Sequence, residues 1–332
     1  MTVTALTHDT TRGGTQVSGL ALAFVSAGSF GLSGALARGL LDTGWSAGAA
    51  VTVRILIAAV VLLVPGVLAL RGRWELVRDN LGLVTVYGLA AVAGAQLCFF
   101  TAVTYMQVPV ALLIEYTAPL AVVVWLWLRH GHRPTRLTVV GTVIAAGGLV
   151  LVLDVLSGAD LSTVGVLWAL GAMVGAATYF VISADLDNGL PGITLAAGGL
   201  VVGGVTLLLA GIVDVLDMRW SSADAVYAVG SVPWWVPVLG LGLVTAALAY
   251  VTGIAAGSRL GSRLASFVAL LEVLMSLVFA GLLLGELPRT VQVVGGVLVL
   301  AGVVVVKLGE RAPALAVEPI GQPVELSERP VG

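Results

Sequence analysis

The sequence predicts an all-α integral membrane protein in which ten transmembrane helices form two inverted five-helix repeats. Three observations support this prediction: ten long apolar stretches, an uneven distribution of basic residues, and a similarity between the two halves of the chain. A bilayer core of about 30 Å requires about 20 apolar residues per helix. The predicted spans are residues 17–36, 47–70, 81–100, 108–128, 137–153, 164–182, 193–213, 234–252, 264–284 and 291–308.

The composition is typical of a chain that lies mostly within lipid. Hydrophobic residues make up 59% of the 332 residues and charged residues only 10%, whereas a soluble domain carries about 25% charged residues. The net charge of −2 comes with no basic stretch, so no nucleic-acid partner is expected. Cys98 is the only cysteine, which excludes an intramolecular disulfide.

The distribution of basic residues predicts the orientation. With the N-terminus placed inside, the inner segments contain 12 Lys and Arg residues and the outer segments contain 3. Because all the loops are short, the positive-inside rule applies and places both termini in the cytoplasm. Nearly all the basic residues are arginine, which favours a bacterial source, and the expected location is the bacterial plasma (inner) membrane.

Four regions follow from these spans. Residues 1–16 are polar, contain no cleavage site and are expected to be a cytoplasmic tail. Residues 17–153 form the first predicted repeat and residues 164–308 the second. Residues 309–332 contain four prolines among scattered charges and are expected to be a disordered cytoplasmic tail.

The repeat is visible as two similar segments in the same order. Residues 110–115 resemble residues 268–272, and their glutamates are 157 positions apart. In the following span of each half, Gly141 and Gly296 are 155 positions apart. A repeat of five spans must enter the membrane in the opposite direction the second time. Inverted repeats place a binding site near the midplane and permit alternating access.

Glycine pairs at four-residue spacing are candidates for close helix packing, because helices in lipid associate through small residues. Chance is the alternative in a chain with 43 glycines. The pairs are Gly171/Gly175, Gly199/Gly203, Gly253/Gly257 and Gly257/Gly261.

The residues then show a family resemblance along nearly the whole chain between the tails. The motifs are Arg54, residues 105–111, Glu115 and Pro119 in the first half, and residues 257–266, 271–272 and 284–288 with Gly295 and Gly296 in the second. With these motifs the chain resembles the EamA-type members of the drug/metabolite transporter superfamily. The resemblance implies export or exchange of small metabolites, amino-acid-like compounds or drugs.

The chain departs from the family pattern at two places. Val273 stands where the family has a proline after Leu-Glu, so the helix break there is in question. His130-Gly131-His132 replaces the Gly-Glu after the fourth span. The histidines have no cysteine or acid nearby in the sequence, and neither a metal nor a cofactor is expected.

Charged side chains inside the predicted spans are the main site candidates. Glu115 and Glu272 are the only acids there, and Arg54 is the only base apart from Lys307 at the inner end of the last span. A charge at the centre of a helix costs about 2.5–3.5 kcal/mol on insertion scales. The glutamates are predicted to bind a substrate amine or carry a proton; a neutral, hydrogen-bonded Glu is the alternative. Arg54 is predicted to pair with Glu115 or a substrate carboxylate, with snorkelling as the alternative.

Polar and aromatic side chains at span depth complete the candidate site. Buried amides and phenols need partners, which a central cavity supplies, although core packing is the alternative for each. These candidates are Gln96, Tyr116, Trp168, Tyr179 and Tyr250. Pro119 is predicted to break its helix, which is tolerated where the backbone lines a cavity.

The sequence therefore predicts a secondary transporter that exports a small molecule by alternating access. The expected partners are a small-molecule substrate, the lipid bilayer, a proton or exchange substrate, and a second copy in a homodimer. No span contains a histidine, and metalloprotease and nucleophile-elbow motifs do not occur. An enzyme is therefore not expected. A channel and a non-transporting membrane scaffold or enzyme remain the alternatives.

Overall fold

The computed structural model describes residues 6–130, 135–152, 162–184 and 189–309, and almost all of them are helical. The first half contains α1 (Leu6–Leu41), α2 (Ala47–Leu70), α3 (Glu75–Asp79), α4 (Leu81–Val86), the π-helix π1 (Tyr87–Gly94), α5 (Ala95–Ala102), α6 (Val108–Glu115), α7 (Ala118–His130) and α8 (Arg136–Val152). The second half contains α9 (Thr163–Ala184), α10 (Gly192–Ile212), the strands β1 (Ala225–Tyr227) and β2 (Gly230–Val232), α11 (Trp235–Leu239), the π-helix π2 (Gly240–Leu248), α12 (Ala249–Ala269), α13 (Leu271–Phe279), the π-helix π3 (Ala280–Leu284) and α14 (Thr290–Gly309).

Five helical segments of the described chain are long and apolar enough to cross a bilayer. They are Ser18–Leu41, Ala47–Leu70, Leu81–Ala102, Gly192–Ile212 and Trp235–Gly257. Five shorter apolar helices lie where the sequence predicts the other spans. They are Val108–Val122, Arg136–Val152, Thr163–Tyr179, Leu271–Leu284 and Thr290–Val306. The structure thus shows a multi-pass helical membrane protein with five clear candidate spans.

Large apolar side chains on the outer surface agree with this assignment. Leu68, Val143 and Leu167 are each exposed by more than 60% although all three lie within apolar helices. Water would not tolerate such a continuous apolar surface, whereas lipid does. By contrast, the polar residues Thr52, Arg54, Thr245 and Ser276 are buried between the helices.

Two helices extend beyond the predicted spans, and one connection contains a hairpin that was not predicted. Helix α1 begins at Leu6, inside the predicted tail, because extending an existing helix adds one hydrogen bond for each residue fixed. Helix α12 continues to Ala269, beyond the predicted end of the eighth span at residue 252. The connection before α11 forms a short antiparallel hairpin of β1 and β2, which the apolar pattern did not predict.

Helices α8 and α14 pack through reciprocal glycine contacts. A Cβ on Gly141 would lie 2.6 Å from the carbonyl oxygen of Gly302, and a Cβ on Gly302 would lie 2.6 Å from that of Gly141. The same holds for Gly148 and Gly295, at 2.7 and 2.6 Å. Because Gly141 lies by Gly302 and Gly148 lies by Gly295, the two helices run antiparallel.

These contacts define the offset between the repeats. Adding 154 converts Gly141 into Gly295 and Gly148 into Gly302, so each contact of the pair becomes the other. The offsets of 155 and 157 taken from the sequence were therefore out of register. With an offset of 154, Glu272 corresponds to Ala118 rather than to Glu115. Because Ala, Leu, Val and Gly make up much of the chain, two of its segments can look alike even when they are aligned in the wrong register.

The helix contacts repeat in the same way. Helix α1 packs on π2, α12 and α13, and helix α9 packs on π1, α5, α6 and α7. Helix α2 packs on α10, and α8 packs on α14. The first helix of each half thus contacts the third and fourth segments of the other half, which brings the interrupted helices together in the interior.

Candidate functional site

Two helices are interrupted in the interior, one in each half. Helix α6 ends at Glu115, and α7 begins at Ala118 after a turn at Tyr116 and Thr117. Pro119 is the second residue of α7, where its missing N–H leaves no helical hydrogen bond unmade. The Thr117 hydroxyl donates to the carbonyl of Ile114 at 2.6 Å, which satisfies one group freed by the turn.

The second interruption occurs without a proline. Helix α12 ends at Ala269 and α13 begins at Leu271, so the break lies directly before Glu272. The amide of Val273 donates to the carbonyl of Leu270 at 3.3 Å. Replacement of the family's proline by Val273 therefore does not remove the break.

A hydrogen bond joins the two interruptions. The Tyr116 hydroxyl donates to Oε2 of Glu272 at 2.8 Å. Both side chains are only partly exposed. Since Tyr116 belongs to the first half and Glu272 to the second, this bond connects the repeats at the centre of the molecule.

Arg54 lies beside this link. Its side chain is 4% exposed, so Arg54 is buried and does not snorkel to the surface. Its Nη2 donates to the carbonyl of Thr245 in π2 at 2.9 Å, and its guanidinium carbon lies 5.3 Å from the centre of the Phe100 ring. Arg54 is also within electrostatic range of Glu115 and Glu272. Its Nε has no hydrogen-bond partner among the described residues.

The other predicted residues fall into two groups. Tyr250 is within electrostatic range of Arg54 and contacts Phe30 edge to face at 5.3 Å, so it belongs to the central cluster. Gln96 has a buried Oε1 without a partner in the described part of the chain. Tyr179 is 37% exposed and its ring lies 6.0 Å from that of Tyr87.

Trp168 belongs to the second group and lies farther out. It is 38% exposed and its neighbour Leu167 is 64% exposed, which places this part of α9 on the apolar outer surface. The structure thus brings Arg54, Glu115, Tyr116, Tyr250 and Glu272 together and leaves Trp168 at the periphery.

A second polar cluster lies at the end of the molecule where α1 finishes. Oε2 of Glu286 accepts a hydrogen bond from the amide of Val108, the first residue of α6, at 3.1 Å. Burial raises the pKa of Glu286, while the Val108 amide and Arg38 oppose that shift. Arg38 pairs with Asp42 at 3.0 Å and donates to the carbonyl of Val103. We call this cluster the Glu286 end.

Sequence reasoning missed several of these contributors. Thr245 contributes its backbone carbonyl and Phe100 its ring. Neither contribution can be recognised from the type of side chain in the sequence. Glu286 was noticed only as part of a family motif. No pattern in the sequence indicated this contact, because the partner of Glu286 is the backbone amide of a residue far away along the chain.

Metal binding receives no support from the described side chains. They contain no group of three or more His, Cys, Asp or Glu that could hold an ion. The side chain of His130 and all of His132 lie outside the described part of the chain.

Two helical repeats with interrupted, apolar helices around a buried charged cluster define the class of a membrane transporter. The chain belongs to the EamA-like transporter family, which it matches over residues 17–154 and 163–308. Fifteen chains of solved structures match the fold. One crystal structure has 18% sequence identity and a TM-score of 0.58, and the match covers 89% of this chain and 97% of that one. No curated protein sequence matches significantly.

Proposed function

We propose that this protein is a secondary transporter that exports a small metabolite, an amino-acid-like compound or a drug across the bacterial plasma membrane by alternating access. The observation that carries the proposal is the hydrogen bond between Tyr116 and Glu272. It joins the interrupted helices of the two repeats beside the buried Arg54. A charged cluster at such an interruption is where a transporter binds substrate or a coupling proton.

The proposal includes ten spans in two inverted repeats with both termini in the cytoplasm. The antiparallel contacts of α8 and α14 support the inversion, because equivalent helices of parallel repeats would run in the same direction. The ten apolar helical segments support the span count. The excess of basic residues on the N-terminal side supports the orientation.

Within the site, Glu272 is the proposed binding group for a proton or a substrate amine. In the described state its carboxylate accepts a hydrogen bond from Tyr116, and a proton or ammonium group at the carboxylate competes with that bond. Glu115 and Arg54 set the charge of the cluster. Gln96, with its buried oxygen lacking a partner, is a further contact for a donor on the substrate.

The remaining candidates keep subsidiary roles in the proposal. Tyr250 and Tyr179 are within electrostatic range of each other, and Tyr250 is also within range of Arg54. Trp168 contributes at the periphery. Pro119 limits α7 at its first turn and so maintains the interruption beside Glu115.

The direct test is replacement of Glu272 by Gln, which keeps the volume of the side chain and removes its titration. A growth screen of overexpressing cells against amino acids, their analogues and toxic cations would first identify a transported compound. We expect Glu272→Gln to insert normally and to reduce the transport of that compound at least tenfold, which corresponds to about 1.4 kcal/mol. Glu75→Gln, at an exposed acid of α3, is the matched control. Unchanged transport and pH dependence in Glu272→Gln would remove Glu272 from the mechanism.

Two further measurements address the alternatives. A carrier shows saturable flux that substrate on the opposite side stimulates, whereas a channel shows neither property. Single cysteines at Ser222 and Asp79 test the topology, and both positions are exposed. Ser222 should react with an impermeant maleimide from outside, and Asp79 only after permeabilisation. Labelling of both positions from one side would exclude the proposed span order.

A further inference from the structure

The interrupted helices of the two repeats are linked at two places. Near the centre, the Tyr116 hydroxyl donates to Glu272. At the Glu286 end, the Val108 amide donates to Glu286. Helix α6 runs from Val108 to Glu115, and the segment of α13 and π3 runs from Leu271 to Leu284. The two segments are therefore antiparallel, and each carboxylate of the second repeat binds one end of α6.

The position of Glu286 is well defined by its own backbone. Gly285 has a φ of 67°, a left-handed conformation that favours glycine and ends π3. The amide of Glu286 then donates to the carbonyl of Ala280 at 3.1 Å. This turn directs Glu286 back towards the start of α6, where unpaired helical amides and the helix dipole favour a carboxylate.

The start of α6 is also held against α1. A Cβ on Gly34 would overlap with Cγ1 of Val108, so the two helices are in close contact at this level. Arg38, near the end of α1, donates to the carbonyl of Val103 just before α6. The first turn of α6 is thus fixed from two sides, by α1 and by Glu286.

We propose that Glu286 is a positioning residue that closes the transport pathway at this end by pinning α6 to the second repeat. With α6 pinned at Val108, Tyr116 stays within hydrogen-bond distance of Glu272, and opening at the Glu286 end requires both links to break. This proposal rests on the alternating-access function proposed above.

The length of α6 explains how the two links are coupled. An eight-residue helix is about 12 Å long and moves as one rigid piece, because its backbone hydrogen bonds span most of its length. A displacement at Val108 therefore displaces Tyr116. Substrate or proton binding at Glu272 releases one end of α6, and Glu286 determines whether the other end follows.

The experiment uses Thr117→Cys as a reporter in the full-length protein, because Thr117 is buried in the same turn and leaves the Tyr116 hydroxyl in place. Cys98→Ser removes the native thiol. The reporter protein is compared with the same protein carrying Glu286→Ala, Glu286→Gln or the control Asp224→Asn. Asp224 is an exposed acid in the segment leading to the hairpin. An impermeant maleimide is applied to intact cells and to inverted vesicles. A separate label at Ser222 identifies the side of the Glu286 end, because the Ala228 amide in the hairpin donates to the carbonyl of Leu283 at the end of π3.

We expect Glu286→Ala to increase the labelling rate of the reporter at least threefold from the side of the Glu286 end and to decrease it from the other side. Glu286→Gln should have a smaller effect, because its amide oxygen still accepts from Val108. Asp224→Asn should match the parent reporter protein.

A simple helix cap predicts something different. It would give faster hydrogen exchange at the first turn of α6 with an unchanged labelling rate at the reporter, and that result would overturn the proposal. Should Glu286→Ala fail to accumulate in the membrane, Glu286→Asp takes its place, because a side chain one methylene shorter draws the carboxylate away from the Val108 amide. An unchanged rate in that variant would overturn the proposal equally. The labelling requires no transported compound, so a chain that transports nothing would contradict the proposed function without affecting this measurement.

Discussion

The π-helices π1 and π2 occupy equivalent places in the two repeats but are supported in different ways. The offset of 154 carries π1, Tyr87–Gly94, onto residues 241–248 of π2. Segment π1 packs backbone to backbone on α10: a Cβ on Gly88 would lie 2.8 Å from the carbonyl oxygen of Gly199, and a Cβ on Gly203 would lie 2.9 Å from that of Gly88. The predicted packing role of Gly199/Gly203 is thereby confirmed.

Segment π2 packs instead on side chains of α2. Ile57 fills the space beside Gly242, and Arg54 donates to the carbonyl of Thr245. Both repeats therefore contain a π-helix at the same place, but the packing contacts that support it differ between the two repeats. Single-turn π-segments are often found at functional sites. Of π1 and π2, only π2 accepts a hydrogen bond from Arg54 in the described part of the chain.

The largest expected effect comes from removing Arg54. Arg54→Gln loses the bond to Thr245, and hydrogen bonds to charged groups contribute about 1.5–3 kcal/mol. Amide hydrogen exchange in π2 should therefore accelerate about tenfold or more, while exchange in π1 stays unchanged. Exchange mass spectrometry of the purified protein measures both segments at once. Equal acceleration in the two segments would show that their supports are not separate.

Crowding the contact between Gly88 and Gly199 is expected to affect π1 instead of π2. Gly88→Ala places a methyl group against the backbone of Gly199, which cannot move aside cheaply. Overpacking of this kind costs about 1–3 kcal/mol and should affect π1 rather than π2. The midpoint of thermal unfolding in detergent is the measurement. Gly147→Ala is the control, because a Cβ on Gly147 would meet nothing within 4 Å. A similar loss in the control would contradict this interpretation.

A smaller effect is expected at the central link. Tyr116→Phe removes the hydroxyl that donates to Glu272 and should cost about 0.5–1.5 kcal/mol of unfolding free energy. Both π-helices should be unaffected in hydrogen exchange, because the link lies between the interrupted helices. Loss of protection in π2 upon this substitution would indicate that the central link also supports that segment.

The smallest effect concerns pH. Burial raises the pKa of Glu286 above its ordinary value of 4.5 in the folded protein. A raised carboxyl pKa stabilises the fold below the unfolded value and loses that contribution as pH rises through the folded value. The wild-type protein should therefore lose a little stability as the pH increases above about 4.5. Glu286→Gln should lack that part of the slope in thermal unfolding at several pH values, whereas an identical slope would show that other groups cause it.

The local pattern of the sequence gave the chain's class and most of its helices. Long apolar stretches and sparse charge predicted a helical membrane protein, because only helices satisfy every backbone group in lipid. The two halves were also detectable. Glu115, Glu272 and Arg54 were identified as the charged groups of the interior because each interrupts an apolar stretch, and the structure places all three within electrostatic range of one another.

The register between the two repeats and the hydrogen-bond partners of distant residues could not be predicted from the local sequence pattern. The prediction that Glu115 and Glu272 occupy equivalent positions in the two repeats was wrong. In a chain composed of few residue types, an out-of-register alignment looks as good as the correct one. The bond of Glu286 to the Val108 amide joins residues 178 positions apart. In the hairpin, the Tyr227 hydroxyl donates a hydrogen bond to the carbonyl of Leu36, which again joins the two halves of the chain.

The sequence by itself determined that this chain enters lipid repeatedly, that it is a duplicated helical protein, and that a few charges must lie inside it. These properties depend on composition and periodicity, which each segment carries alone. Only the tertiary structure decided the offset of 154, the break before Glu272 without a proline, and the two links that hold α6. These features depend on which backbone carbonyls and amides of distant helices approach one another, and backbone groups are identical in every residue.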